Sequence, residues 1–470
     1  MKFLSQIFTW ASTLIVARAL TPDDYGLVAM AIVFTSLVEM VSDFGMGQSI
    51  VKHRDLTPRQ IAQINGLCVL VGLAAWGITC AAAYPVSVFF REPDLVAVVL
   101  ALGSGFFITS FRSVPLSILE RDMQFRAVSL NEGINAIVLS VLMVALALSG
   151  FKYWALVIGN LVGAMLSTLL AYRVAPTPFA WPRYREIKEA IVYGGHMIGL
   201  RFCYYVTTNA DAFVVGKVLG QRLLGAYSLA MTIAAIPVEK IGSLLVRVLP
   251  PVISAVQHDS AKLRRYVSAI TEALSLLTMP ASVGLALVAT DLVPFALGDA
   301  WRPAILPLQI LSISIAHRST FVIIPSVAAI IGLSRTSMHV SALGAILLPI
   351  AFFGGTFWGI GGVAAVWLIV YPLITFPYYY VVFRRIHMSA GEYLTALWPA
   401  TSCTAVMAAV VYGVLEVLPT HWPMAARLAV EILVGAVTYV AALIAFHRKR
   451  LSAMRSIYDL LRSKGQQPRA

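Results

Sequence analysis

Long apolar runs separated by short polar breaks fill the whole chain. The runs recur at roughly the 20-residue length with which a helix crosses a 30 Å hydrocarbon core. They lie at 3–20, 25–48, 62–86, 95–118, 127–149, 153–172, 188–211, 223–249, 266–290, 303–330, 336–356, 359–382, 394–415 and 424–446. A helix satisfies its own backbone N–H and C=O groups where lipid cannot, so runs of this length predict membrane-spanning helices. The reading is about fourteen spans, with twelve as the alternative count; the first and thirteenth runs are the weakest.

The first run closes with VARALTPDDYG, residues 16–26. Ala17-Arg18-Ala19 has the small-x-small form of a signal-peptidase site, so the run reads either as a removable leader or as a permanent span. A shift of 199 residues lays this stretch over VGKVLGQRLLG, 215–225. Thr9, Ala11, Val16, Leu20, Gly26 and Ala31 then meet Thr208, Ala210, Val215, Leu219, Gly225 and Ala230, and Arg18 meets Lys217. The second copy sits mid-chain, where a leader has no meaning, which favours the span. Both copies end an odd-numbered run and enter the next in the same direction. This suggests two six-helix bundles related as parallel repeats, the arrangement of many secondary transporters. The expected organisation is an N-terminal bundle over 1–173, a second over 187–382, two additional helices over 394–447 and a basic tail over 448–470.

Composition turns the pattern into a class. The chain is 59% hydrophobic and 12% charged, against about 25% charged in soluble domains. We read an all-α polytopic membrane protein. The net charge of +13 gathers in alternate connections and the tail. One side holds Lys52, Arg54, Arg59, Arg121, Arg126, Arg173, Arg183, Arg185, Lys188, Lys262, Arg264, Arg265, Arg335, Arg384 and Arg385, and all seven basic residues of the tail. The other holds only Arg91, Lys152, Lys217, Arg222, Arg302 and Arg427, with the acidic T-P-D-D of 21–24. The positive-inside rule then places both termini in the cytoplasm and explains the basic balance through membrane lipid, without a nucleic-acid partner. The tail itself reads either as an amphipathic helix on the inner leaflet or as a disordered basic end. Cys68, Cys80, Cys203 and Cys403 all fall in apolar runs, form no C-x-x-C pair and read as packing residues.

Short connections leave no room for a soluble catalytic domain. No G-x-x-x-x-G-K-[ST], H-E-x-x-H, G-x-S-x-G or D-x-D occurs, so an enzyme and a catalytic residue are not expected. Candidate chemistry comes from ionisable groups inside the runs, which cost roughly 2.5–3.5 kcal/mol each to insert and therefore face a cavity or a partner. These are Glu39 and Asp43 at i,i+4 spacing, Arg112, His196, Arg201, Asp211, Glu239, Lys240, Glu272, His317 and Arg318. They line a water-filled path for an anionic head group, with carboxylates and histidines as ion-coupling or charge-pairing sites, or they form interhelical ion pairs that fix packing. Gly194-Gly195, Gly354-Gly355 and Gly361-Gly362 read as close-packing points, and Pro237, Pro280 and Pro325 as kinks.

R-A-L-T-P-D-D-Y-G-L-V-A-M-A (18–31), D-F-G-M-G-Q-S-I-V (43–51), F-R-E-P-D-L (90–95), L-E-R-D-M-Q-F-R (119–126), N-A-D-A-F-V-V-G-K-V-L-G (209–220), L-G-A-Y-S-L-A-M (224–231) and V-L-P-P-V-I-S (248–254) together resemble Wzx-type polysaccharide-export flippases. These belong to the multidrug/oligosaccharidyl-lipid/polysaccharide exporter superfamily. The resemblance covers about 1–260 strongly and is looser beyond. It implies two helix bundles around a cavity of alternating access, in the bacterial inner membrane. The implied substrate is an undecaprenyl-pyrophosphate-linked oligosaccharide for lipopolysaccharide or exopolysaccharide synthesis, with a polysaccharide polymerase and assembly proteins as further partners. It also implies a basic, amphipathic lead before the first span, whereas Met1-Lys2-Phe3 stands almost inside it. The quoted motifs look structural, so the substrate-binding set (Arg112, Arg201, Arg318, Lys240) and the coupling set (Glu39, Asp43, Asp211, His196, His317) rest on in-span charge. No cofactor or metal is expected; H⁺ or Na⁺ is the expected drive. The competing readings are a cation-coupled small-molecule exporter of the same superfamily and a non-enzymatic membrane component of a polysaccharide assembly complex.

Overall fold

The computed structural model describes residues 2–42, 49–51, 55–183, 202–255, 259–419 and 421–464, and among these there is no β-strand. The helices follow the apolar runs closely. They are α1 (Lys2–Ala19), α2 (Pro22–Ser42), α3 (Pro58–Phe90), α4 (Leu95–Arg121), α5 (Phe125–Leu148), α6 (Trp154–Val174), α7 (202–218) and α8 (Gln221–Ala255). Then come α9 (Ser260–Leu297), α10 (Ile305–Phe321), α11 (Ile323–Ile330), α12 (Ser334–Gly355), α13 (Gly359–Ile386), α14 (Ala390–Val417) and α15 (Met424–Lys464). Large apolar side chains stay exposed along them, among them Val141, Ile350, Leu373 and Leu433. Water would penalise such a surface and a bilayer does not, so the chain is a multi-pass membrane protein.

Polar residues in the breaks set the helix ends. Thr21 caps α2: the Asp24 carboxylate accepts from Thr21 N–H (3.0 Å) and Thr21 O–H (2.7 Å), and Asp24 N–H donates back to Thr21 Oγ1 (3.2 Å). Pro22 starts the helix where a missing N–H costs nothing. The acidic T-P-D-D is thus a helix start. Asp24 also accepts from Tyr153 N–H, which ties α2 to the α5–α6 turn. Thr57 and Gln60 repeat the capping box on α3, and Ser389 with Glu392 on α14. Asp259 caps α9 by accepting from Ala261 and Lys262 N–H. The Lys262 backbone and ammonium bonds hold that exposed carboxyl below its ordinary range. F-R-E-P-D-L and L-E-R-D-M-Q-F-R are interhelical turns, with Arg91 (φ 64°) and Met123 (φ 55°) in the left-handed region.

One predicted run is broken. The 303–330 span is a 3-10 turn over Asp299–Ala304, then α10, then α11, with the break at Val322. Pro325 has no N–H to offer the carbonyl of Phe321 four residues earlier, and α10 ends at Phe321. The tail is helical to Lys464, separated from the apolar part of α15 by a non-helical residue at His447.

The described residues form two compact units. The first comprises Met1–Leu229, Ala296–Ala304 and Ser341–Val366. In it α1 packs on α5, α2 on α3 and α4, α3 on α4, and α4 and α5 on α6. Ala17 is fully buried and its carbonyl accepts the Trp301 indole N–H at 2.9 Å, while Tyr25 meets the Trp301 ring edge-on at 5.3 Å. The small-x-small segment is therefore an integral part of a packed helix. Gly355 and Gly362 face each other across the turn between α12 and α13; a Cβ on Gly362 would stand 2.2 Å from the Gly355 oxygen. Gly194-Gly195 lies outside the described residues.

The two copies of the repeated stretch meet inside this unit. A Cβ on Gly26 would lie 1.9 Å from the Gln221 carbonyl oxygen, and one on Gly225 would lie 1.8 Å from that of Pro22. Under the 199-residue shift Gly26 corresponds to Gly225 and Pro22 to Gln221. The contact is therefore reciprocal, as in a self-complementary two-fold crossing. Gln221 Nε2 reinforces it by donating to the Asp23 carbonyl at 2.7 Å.

The second unit comprises Ala230–Phe295, Ile305–Val340 and Trp367–Ala470. Its core joins Leu263, Val267 and Leu274 of α9 to Ile323, Ile324 and Val327 of α11 and to Tyr378, Val382 and Ile386 of α13.

Candidate functional site

In the second unit α10 presents His317 and Arg318 to an aromatic stripe on α13. Trp367, Tyr371 and Tyr378 recur there at spacings of one and two helical turns, which puts them on one face. The Arg318 guanidinium lies 4.3 Å over the Trp367 ring and 5.7 Å from that of Tyr371. Trp367 is 1% exposed, so the seat is rigid. Ring contacts extend the stripe: Phe321 meets Tyr371, Tyr378 and Tyr379, and Tyr379 meets Tyr393 of α14 at 5.5 Å. His317 stands 6.2 Å from Tyr379, and its buried Nε2 has no hydrogen-bond partner among the described residues.

This geometry fits anion binding. A cation–π seat uses the flat face of guanidinium and leaves its in-plane N–H fork available. No hydrogen bond or ion pair from the described residues occupies that fork. Such a fork matches phosphate oxygens bidentately, which an ammonium cannot do.

Arg112 belongs to the first unit and is held differently. Its Nη1 donates to Ser167 Oγ on α6 at 3.0 Å. Ser167 in turn donates to Asn131 Oδ1 on α5 at 3.0 Å, and Asn131 Nδ2 donates to the Ser167 carbonyl. The guanidinium thus joins a buried polar network that links α4, α5 and α6.

The remaining predicted residues divide by position. Glu39 is exposed on α2. Asp211 is 3% exposed and accepts from Tyr227 O–H at 2.8 Å and from Ala212 N–H. We expect Tyr227→Phe to lower stability by about 1–3 kcal/mol, the cost of withdrawing a donor from a buried carboxylate. Thermal unfolding of the purified protein measures this, and an unchanged midpoint would mean the bond carries no stability. Asp43, His196 and Arg201 lie outside the described residues, as do the side chains of Glu239 and Lys240.

Two further polar contacts join residues far apart in the sequence. Lys217 lies 4.1 Å over Phe89 and donates to its carbonyl. Asp291 pairs with Arg427 across two helices at 3.1 Å. The i,i+4 spacing of Arg427 and Glu431 was the available signal for that second cluster.

The comparisons with known proteins agree with this architecture. The E. coli K12 lipopolysaccharide biosynthesis protein WzxC is 24% identical over 82% of this chain and 79% of its own length. The Rhizobium meliloti succinoglycan biosynthesis transport protein ExoT is 26% identical over 97% of this chain and 92% of its own. Among solved structures, the lipid II flippase MurJ in an inward closed conformation matches with a TM-score of 0.80 at 14% identity, covering 96% of this chain and 98% of that one. That likeness is one of fold. The family model described as polysaccharide biosynthesis protein matches residues 15–306, well over half of the sequence, and the chain belongs to that family.

Proposed function

We propose that the protein is a flippase that moves an undecaprenyl-pyrophosphate-linked oligosaccharide from the cytoplasmic to the periplasmic leaflet of the bacterial inner membrane. It works by alternating access and serves lipopolysaccharide or exopolysaccharide synthesis. The observation that carries the reading is membership of the polysaccharide biosynthesis family, over a fold shared with a lipid II flippase. The physical problem is to carry a pyrophosphate and a hydrated glycan past hydrocarbon while the polyprenyl tail stays in lipid. An unpaired buried anion is prohibitively costly, so the path needs fixed cations.

Arg318, laid on Trp367, offers such a cation, and Arg112 offers a second in the other unit. Arg201 and Lys240 complete the proposed substrate-binding set. Glu39, Asp43, Asp211, His196 and His317 form the proposed set for H⁺ or Na⁺ coupling or charge pairing. The proposed topology has both termini in the cytoplasm, a placement that the bias of basic residues among the connections supports. No step breaks or makes a covalent bond, so the reading calls for no catalytic residue. A polysaccharide polymerase and assembly proteins would take up the product outside.

Deletion of the gene tests the reading. Lipid-linked oligosaccharide should accumulate inside and its periplasm-accessible pool should collapse, with loss of surface polysaccharide. An unchanged pool and persistent polysaccharide, in a strain without a second flippase, would overturn it.

A further inference from the structure

The α9–α15 pair of the second unit holds a charge cluster that the proposed transport path does not use. Asp291, near the C-terminal end of α9, pairs through Oδ2 with Arg427 Nη2 of α15 at 3.1 Å. Glu431 follows one turn after Arg427 on the same face, within hydrogen-bonding reach of Asp291. Glu431 is 1% exposed, and among the described residues neither of its carboxylate oxygens has a hydrogen-bond partner. Further along, Tyr439 O–H donates to the Leu276 carbonyl at 2.7 Å, a second tie between the two helices on one side of the cluster.

With all three groups ionised the cluster carries one uncompensated negative charge. Two carboxylates in hydrogen-bonding reach cannot both remain charged cheaply, and a buried carboxylate without donors is the costlier of the two. One proton resolves both problems. It makes Glu431 a donor to Asp291 and leaves a neutral set: Asp291⁻, Arg427⁺ and protonated Glu431.

A metal cation does not fit as well. Hard cations gather about six oxygens, whereas this site offers carboxylate oxygens from two residues. Arg427 stands 3.1 Å from one of these oxygens and would repel a cation. Among the described residues, the charged groups acting on Glu431 are Asp291 and Arg427. The adjoining face of α14 contributes Met407 and Val411 beside Gly435. The ionisable residues at that end of α14 and in its connection to α15, Glu416 and His421, are exposed.

We propose that Asp291, Arg427 and Glu431 form a proton-binding site in which the two carboxyls share one exchangeable proton. Asp291 and Arg427 keep 10% and 20% of their side-chain surface exposed, so the cluster is not sealed inside the protein. The site is independent of what the protein transports.

Infrared difference spectroscopy of the full-length protein in liposomes tests it. At neutral pH the wild type should show a protonated-carboxyl C=O band that disappears as the pH rises. Glu431→Gln should remove one carboxyl's worth of that band, and Glu416→Gln should leave it intact. Sodium chloride titrated at constant ionic strength and pH should not displace it. A wild type with no such band, a band unchanged in E431Q, or displacement of the band by sodium would each overturn the proposal. The wild-type pH and sodium titrations decide the matter even if E431Q fails to fold.

Discussion

Gly225→Ala is expected to destabilise the protein by about 3 kcal/mol or more, at the upper end of overpacking costs. The added methyl would stand 1.8 Å from the Pro22 carbonyl oxygen and 2.8 Å from Gly26 N. Both are backbone atoms at the start of a capped helix, so no side chain can rotate away. Relief requires separating α2 from α8, which stretches the Gln221–Asp23 hydrogen bond and disturbs the Tyr25 edge against Trp301. Alanine is the better helix former by about 1 kcal/mol, too little to offset the clash. Gly26→Ala should behave alike, because its methyl meets the equivalent Gln221 oxygen at 1.9 Å. Gly413→Ala, where a Cβ meets nothing within 4 Å, should be neutral or slightly stabilising. Thermal unfolding in detergent compares the three. Loss at both crossing glycines with none at Gly413 is the expected result; equal midpoints for all three would show that the helices do not cross this closely.

Arg318→Ala should reduce export by about 10–100-fold, the equivalent of losing a charge-assisted hydrogen bond of roughly 1.5–3 kcal/mol. Protein abundance in the membrane should change little, since a cation–π seat contributes only about 0.5–2 kcal/mol to the fold. Arg318→Lys keeps the charge but loses the planar fork, so its activity should fall between wild type and alanine. Trp367→Leu keeps the arginine and removes its seat, and should lower export less than Arg318→Ala does. Complementation of the deletion strain, read as periplasm-accessible lipid-linked oligosaccharide per unit of membrane protein, measures all three. Full export by Arg318→Ala would remove Arg318 from the substrate path.

Much of the local structure was legible because it depends on short-range physics. An apolar run of span length has few options other than a helix, and the predicted runs and observed helices agree within a few residues at most ends. T-P-D-D could also have been read as a cap, because Thr at the N-cap, Pro at the first helical position and Asp three residues on is a local hydrogen-bonding device. Its acidity alone says only that it stands among the connections poor in basic residues. Pro325 marks a local weakness in its run: the helix is interrupted at Val322, a single residue that keeps α-helical φ and ψ (−52°, −28°).

The candidate site was legible only in part. Arg112 and Arg318 stood out because a charge in an apolar run is costly anywhere. Their surroundings did not stand out: one arginine lies on a tryptophan 49 residues later in the chain, and the other hydrogen-bonds a serine 55 residues away. Glu431 was overlooked although it too interrupts an apolar run. Its importance depends on Asp291, which is remote in sequence.

By itself, then, the sequence determined what each segment must become: membrane helices, their caps and interruptions, and the residues that are costly to bury. Only the tertiary structure decided which segments meet. It brought Gly26 and Gly225 into reciprocal contact, seated Arg318 on Trp367 and set Glu431 beside Asp291. The reason is physical. Helix formation in lipid is set by residues within a few positions of each other, whereas close packing and buried charge are resolved between side chains whose distance along the chain carries no information about their distance in space.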